Sequence, residues 1–314
     1  MFLSDPISGI FLISEIFMGL IGNLLLFILY LYTFLTQTHP RRPVDMIFAH
    51  LTLVNVLSIV FRLLPDVMSS FAVRLYFRDA GCKAVLYAYS VTRGLSICII
   101  SLLSVFQAIT VSSSHSRWAW LKSKLASCIF PSFLFIWIIN IFLYFPMIEN
   151  VKAQINLTVD SRYSYTYCGR NQVRYYTTVS LLSAMMIRDI LFVVLMMWTS
   201  LYMVNFLLRH RRRTEHVHSS SLTSQSSSEK KATHSILLLV GFFVFLYCSN
   251  SFVTIYLFYR PKKNTVLDKI SGILSSCYPV TCPYVLMNNR KVISKCISSF
   301  SNFKFTLPTR GYTS

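Results

Sequence analysis

Charge is what this chain has least of. Asp, Glu, Lys and Arg together make up 13% of its 314 residues, where a water-soluble domain carries about a quarter. Acidic groups are the scarcer sign, 11 against 30 basic. With 54% hydrophobic residues and a mean hydropathy of +0.55, too little polar surface is available to coat a soluble globule. Most of the apolar surface must therefore face lipid. The eight cysteines contain no Cys-x-x-Cys pair and no zinc-like spacing, so no metal site and no cofactor is expected. No span carries His-Glu-x-x-His, and no Ser–His or paired-Asp arrangement falls at membrane depth, which argues against an intramembrane hydrolase and against an enzyme of any kind. The chain also lacks a basic stretch ahead of its first apolar run and a small-residue cleavage site after it. That run is expected to stay as an anchor rather than leave as a signal peptide.

The net charge of +19 would suit a nucleic-acid binder. Here the Lys and Arg residues sit in short clusters between apolar runs, which is the pattern of membrane loops, so no nucleic acid is expected as a partner. The apolar runs predict an all-α membrane protein, a single seven-helix domain over residues 1–314, with spans at about 7–35, 44–70, 84–114, 125–148, 177–208, 235–259 and 270–289. The third holds 23 consecutive residues without charge, from Gly94 to Ser116, about 35 Å of helix and enough to cross the hydrocarbon core. The fourth contains Pro131 and Pro146, which helices in lipid tolerate. Residues 209–234 read as a basic, serine-rich and flexible loop and residues 290–314 as a tail, both cytoplasmic.

Seven spans put the two termini on opposite sides. The loops after spans one, three, five and seven carry 16 Lys and Arg, the alternate ones 11. The excess places the tail in the cytoplasm and the N-terminus outside, in a multi-pass plasma-membrane protein. The chain's one Asn-x-Ser/Thr acceptor, Asn156, then falls in an outside loop, as a glycosylation site must. Cys82 and Cys168 fall on the same face, where oxidising conditions permit a disulfide that would pin the long outer loop over the third span.

Several blocks resemble one family. RGLSICIISLLSVFQAIT (Arg93 to Thr110), SRWAWLKSKL (Ser116 to Leu125) and CIFPSFLF (Cys128 to Phe135) are similar to the vomeronasal type 1 receptors, a pheromone-receptor family among the G-protein-coupled receptors. So are RDILFVVLMMWTSLYMVNFLLRH (Arg188 to His210), HSILLLVGFFVFLYCSNSF (His234 to Phe252) and SGILSSCYPVTCPYVLMNN (Ser271 to Asn289). The resemblance implies sensing of a pheromone-like small molecule and coupling to a heterotrimeric G protein of the inhibitory type. Gly22-Asn23 matches the first-span pair of the larger rhodopsin-like class. Elsewhere the chain departs from it. Asn55 stands where a second-span Asp is usual, Phe106-Gln107-Ala108 replaces Asp-Arg-Tyr, the sixth span has no proline, and the seventh has no Asn-Pro-x-x-Tyr. Where amine receptors carry a third-span Asp this chain has Tyr89, so an amine ligand held there is unsupported.

A charge in mid-membrane costs about 2.5–3.5 kcal/mol on insertion scales, so it has a partner or lines a wet cavity. Arg93, Arg188 and Asp189 fall at one depth in the outer half. Their bland reading is a structural Arg93–Asp189 pair. Their functional reading is that one arginine faces the pocket and takes an acidic ligand group. Arg62 and Asp66, spaced i, i+4, read as a helix-stabilising pair. Tyr89, Ser90, Asn250 and Ser251 are candidate polar contacts in an otherwise apolar pocket, although Tyr also anchors interfaces and Ser and Asn also bridge helices. On the cytoplasmic side Gln107, Arg117, Arg211, Arg212, Arg213, Lys230 and Lys231 are candidate G-protein contacts. Topology and attraction to anionic membrane lipid explain the basic ones equally well. His210, His216 and His218 read as solvated rather than metal-binding, and Cys296 as a candidate palmitoylation site. The alternative to a receptor is a small multi-span transporter, which would show inverted repeats or broken helices, and no internal duplication stands out.

Overall fold

The computed structural model describes residues 5–36, 43–70, 79–112, 119–153, 164–165, 168–170, 175–215, 223–259 and 265–287. In chain order the helices are α1 (Asp5–Thr36), α2 (Pro43–Ser70), α3 (Asp79–Val111), α4 (Ala119–Tyr144) and the short α5 (Met147–Asn150). They are followed by α6 (Tyr175–Glu215), α7 (Thr223–Tyr259) and α8 (Thr265–Met287). All but α5 are long and apolar enough to cross a membrane, so seven spans are present among the described residues. In hydrocarbon each backbone N–H and C=O must find its partner within the chain, and an unbroken helix is how a single segment does so.

Two boundaries differ from the sequence expectation. The apolar run carries the fourth span to residue 148, yet α4 stops at Tyr144. Pro146 has no N–H to continue the ladder, and the chain turns there through tight Phe145→Phe142 and Ile148→Phe145 bonds of 3.3 and 3.1 Å. The stretch 209–234, expected to be a flexible loop, is mostly helical. The α6 helix runs on to Glu215 and α7 starts at Thr223, leaving 216–222 outside the described residues. Arg and Lys are good helix formers, and a helix leaving the membrane needs no apolar face to continue.

Between α4 and α6 lies a small antiparallel sheet of order β1-β3-β2. In it β1 (Val151–Ala153) pairs with β3 (Cys168–Arg170), setting Ala153 opposite Cys168, and β2 (Ser164–Tyr165) pairs with the other edge of β3. The β1 strand packs on α3. The sheet thus marks one end of the bundle, called the strand end below.

The α3 helix is the axis of the bundle. Of its apolar span 78% is buried, against 11% for α6. Leu95, Ile99, Ile100 and Leu103 of α3 are fully enclosed with Leu26, Leu51 and Leu239 around them. The outer faces of α4, α6 and α7 expose Phe135, Phe142, Leu191, Trp198, Phe245 and Phe252, the surface a lipid-facing helix presents.

Asn23 ties α1 into this core for a reason visible in the sequence of α8. Pro283 has no N–H, so the carbonyl of Pro279, four residues earlier, loses its helical partner. Asn23 Nδ2 supplies one at 2.8 Å, also donates to the Gly19 carbonyl at 2.8 Å, and accepts from Asn55 Nδ2 at 3.2 Å on Oδ1. Gly22 lets the helices close up, since a Cβ there would stand 2.8 Å from Pro283 Cγ. Asn23→Ala is expected to lower the unfolding temperature of detergent-solubilised receptor, at a cost of about 2 kcal/mol for the orphaned carbonyl. Pro283→Ala restores the missing N–H, so Asn23→Ala should cost less in that background. Equal cost in both backgrounds would contradict the pairing.

Candidate functional site

Toward the strand end, α2, α3, α7 and α8 line a partly open cavity of about 40 Å³. Its wall is Ser58 from α2, Tyr89, Arg93 and Ser96 from α3, and Phe243, Leu246, Tyr247 and Asn250 from α7. Leu274, Ser275, Tyr278 and Pro279 from α8 complete it. That volume suits a water or two and is far below the roughly 300 Å³ or more of ordinary small-molecule pockets.

A cluster of polar groups borders the cavity and joins four helices. On α6, Arg188 donates from Nε to Asp189 Oδ1 at 2.9 Å and from Nη2 to the same oxygen. It also donates from Nη1 to Asn140 Oδ1 at 2.9 Å and from Nη2 to the Tyr144 hydroxyl at 2.8 Å, both on α4. The guanidinium lies over the Tyr144 ring at 5.2 Å. Asp189 accepts on its other oxygen from the Tyr247 hydroxyl of α7. Arg93 of α3 donates from Nη2 to that hydroxyl at 3.2 Å and covers the same ring at 5.1 Å. The expected direct Arg93–Asp189 pair is therefore not what forms. Tyr247 stands between the two, and Asp189 is bonded to its own neighbour instead.

A second cluster faces the cavity from α2 and α8. Arg62 Nε donates to Ser275 Oγ at 3.0 Å, and its guanidinium lies 5.6 Å from the Tyr89 ring centre. Glu15 of α1 is buried and accepts from Ser276 at 3.2 Å. The side chain of Asp66 lies outside the described residues.

The sequence candidates divide accordingly. Tyr89, Arg93 and Asn250 line the cavity, and Asn250 Oδ1 accepts from Ser271 at 3.0 Å. Arg188 and Asp189 sit behind Tyr247. Ser90 turns away, bonded to the Leu86 carbonyl and the Met147 sulfur. The Ser251 hydroxyl is buried with no hydrogen-bond partner among the described residues. Cys82 is fully buried and disulfide-bonded, and Cys168 opens β3. Asn156, Arg117 and Cys296 lie outside the described residues, as do the side chains of Arg211, Arg212, Arg213, Lys230 and Lys231, whose backbones continue α6 and α7.

The residues that sequence reasoning missed are Tyr247, Tyr144, Asn140, Ser58, Ser96 and Ser275. Tyr247 carried a usable signal. It stands three residues before Asn250 and four after Phe243, so all three share a helix face. Its ring stacks on Phe243 at 5.4 Å, which meets Tyr278 of α8 edge-on at 4.6 Å.

At the opposite end Phe106, Gln107 and Ala108 are all buried. In place of an ionic tie, hydroxyls link α3 to α6. Ser104 and Thr199 meet at 2.6 Å, and the Tyr202 hydroxyl donates to Ser112 at 3.2 Å. Between the two ends Trp137 Nε1 of α4 donates to His50 Nε2 of α2 at 2.9 Å, and His50 stacks on Phe133 at 4.3 Å.

Seven helices, the third the most buried, with a polar cluster near one end, form a bundle of the rhodopsin fold. The crystal structure of squid rhodopsin matches it with a TM-score of 0.73 over 96% of this chain and 87% of that one, at 14% identity. The model of the vomeronasal organ pheromone receptor family matches residues 7–299. Vomeronasal type-1 receptor 4 of Homo sapiens is 36% identical over 282 residues, covering 88% of this chain and 92% of the relative. Vomeronasal type-1 receptor 3 of Homo sapiens is 34% identical, covering 93% of each, and vomeronasal type-1 receptor 93 of Rattus norvegicus 29%, covering 94% of each. The chain belongs to the vomeronasal type 1 receptor family. It is a chemosensory G-protein-coupled receptor and a multi-pass protein of the plasma membrane, with the family and fold of a receptor rather than of an enzyme or a transporter.

Proposed function

We propose that a pheromone-like small molecule binds between α2, α3, α7 and α8 at the strand end, and that this end faces outside. Occupancy then shifts the opposite end toward a state that binds a heterotrimeric G protein of the inhibitory type. The observation that carries the reading is the cavity itself, the place where Tyr89, Arg93 and Asn250 from two helices converge. At about 40 Å³ it is too small for a ligand of ordinary size, which fits only as α7 and α8 part from α3, and that movement is the signal. The orientation rests on the excess of Lys and Arg in the alternate loops and on the Asn156 acceptor. Gln107, at the end of α3 away from the strands, and the basic continuations of α6 and α7 supply the G-protein side.

The test is expression with a promiscuous G protein, challenged with fractionated glandular and urinary compounds. A calcium response that requires surface receptor supports the reading. Surface receptor silent to every fraction, yet moving a solute, would replace it with a transporter.

Cys168 is the proposed partner of Cys82, given that β3 begins at Cys168 and pairs with β1, which packs on α3. Cys82→Ser and Cys168→Ser should each reduce surface expression, by about 2–5 kcal/mol of stability, and the double substitution should be no worse than either. Additive losses would mean that the two are not partners.

A further inference from the structure

The two arginines of this cluster are not equally engaged. Arg188 makes four hydrogen bonds to Asp189, Asn140 and Tyr144. Arg93 makes one, at 3.2 Å, to the hydroxyl of Tyr247. A guanidinium carries five N–H donors, and this one lines the cavity with most of them unused among the described residues. The local charge is also uneven. Arg93 and Arg188 bring two positive charges and Asp189 one negative, with both carboxylate oxygens already taken by Arg188 and Tyr247. An excess cation within a membrane span is costly without a counter-ion, and the cavity is the neighbouring space from which a counter-ion can arrive.

We infer that the ligand carries one oxyanion group, carboxylate or sulfate, which lands on Arg93 and takes that guanidinium away from the Tyr247 hydroxyl. This deepens the proposed pocket and rests on it. The fork geometry of the guanidinium suits two parallel N–H···O bonds to an oxyanion, which a single phenol oxygen cannot accept. The consequence is mechanical. Arg93–Tyr247 is a polar link between α3 and α7, and Tyr247 stacks on Phe243, itself against Tyr278 of α8. Recognition of the acid group and release of α7 are then the same event. Arg188 stays where it is, a positioning residue that holds Asp189 and, through it, Tyr247.

The experiment needs no knowledge of the natural ligand. Purified full-length receptor is unfolded thermally in acetate, in methanesulfonate and in acetamide, the uncharged match for acetate, with ionic strength held constant by chloride. Acetate and methanesulfonate should raise the unfolding temperature of the wild type by about 3 °C near saturation, and acetamide should not. Arg93→Lys should keep part of the difference and Arg93→Gln should lose it. Equal shifts with acetate and acetamide, or a difference that survives in Arg93→Gln, overturn the inference. In cells, Tyr247→Phe removes the link that the ligand is inferred to break, together with the hydroxyl's bond to Asp189. Per receptor at the surface it should raise ligand-independent signalling about threefold or more, the change expected for the loss of at least one ordinary hydrogen bond. Unchanged or lower basal signalling overturns the handover. Failure of the anion test leaves the receptor reading intact, since that reading stands on the fraction screen, whose positive responses would then come from neutral compounds.

Discussion

Asp189→Ala is expected to leave almost no folded receptor at the cell surface. Asp189 is 5% exposed and is the carboxylate on which Arg188 and Tyr247 converge. Removing it leaves two part-buried guanidinium groups with no negative charge between them. Breaking a buried ion pair from one side costs about 3–5 kcal/mol, a large part of the roughly 5–15 kcal/mol that keeps a domain folded. Arg188→Met does the opposite to the charge count. It leaves Arg93 positive and Asp189 negative, joined through Tyr247, and should be clearly milder. Surface immunostaining with thermal unfolding of the solubilised receptor compares the two. If Arg188→Met costs as much as Asp189→Ala, the Arg188 bonds to Asn140 and Tyr144, rather than the balance of charge, hold the site together.

The same cluster shows how far the sequence could be read. The seven spans were legible because about twenty apolar residues in a row have few other uses, and the depth of Arg93, Arg188 and Asp189 followed from counting turns. Which charge meets which did not. Neighbours on a helix point about 100° apart, so an i, i+1 contact is not the one to expect. Arg188 reaches Asp189 only because its long side chain curls back while its other nitrogens are held by Asn140 and Tyr144. Those two residues, like Tyr247, are ordinary contents of a membrane span, and nothing in their spacing says that an arginine from another helix will arrive. The strands were out of reach for a simpler reason, since two or three residues carry no detectable alternation. Residues 209–234 misled through composition, because serine-rich and basic also describes a helix that has left the membrane.

Gly94 carries the remaining large effect, and its substitution tests the cluster from the α3 side. The residue needs no unusual backbone conformation. It needs to be small. A Cβ at this position would overlap Asn140 Oδ1 and stand 2.8 Å from Tyr144 Cε2 and 2.9 Å from Arg188 Nη1. Asn140 has little freedom to retreat, being bonded through Nδ2 to the Ile136 carbonyl at 2.8 Å and to the Cys98 sulfur at 3.6 Å while it accepts from Arg188. Gly94→Ala should therefore cost about 1–3 kcal/mol, the range for overpacking a closed interior, despite alanine's higher helix propensity. Gly241 of α7 is the comparison, because a Cβ there meets nothing within 4 Å. Gly241→Ala should be neutral or stabilising by up to about 1 kcal/mol. Asn140→Ala on its own leaves Arg188 Nη1 without its acceptor and is destabilising too, but it empties the space that the Gly94→Ala methyl requires. The double variant should then lose less than the sum of the single losses, by about 1 kcal/mol or more on the scale of contacting residues, about 0.5–3 kcal/mol. Thermal unfolding of all four proteins in one detergent gives the cycle. Strict additivity would mean that α3 does not approach Asn140 as closely as this packing requires, and Arg93, one residue away, would then have to be placed afresh.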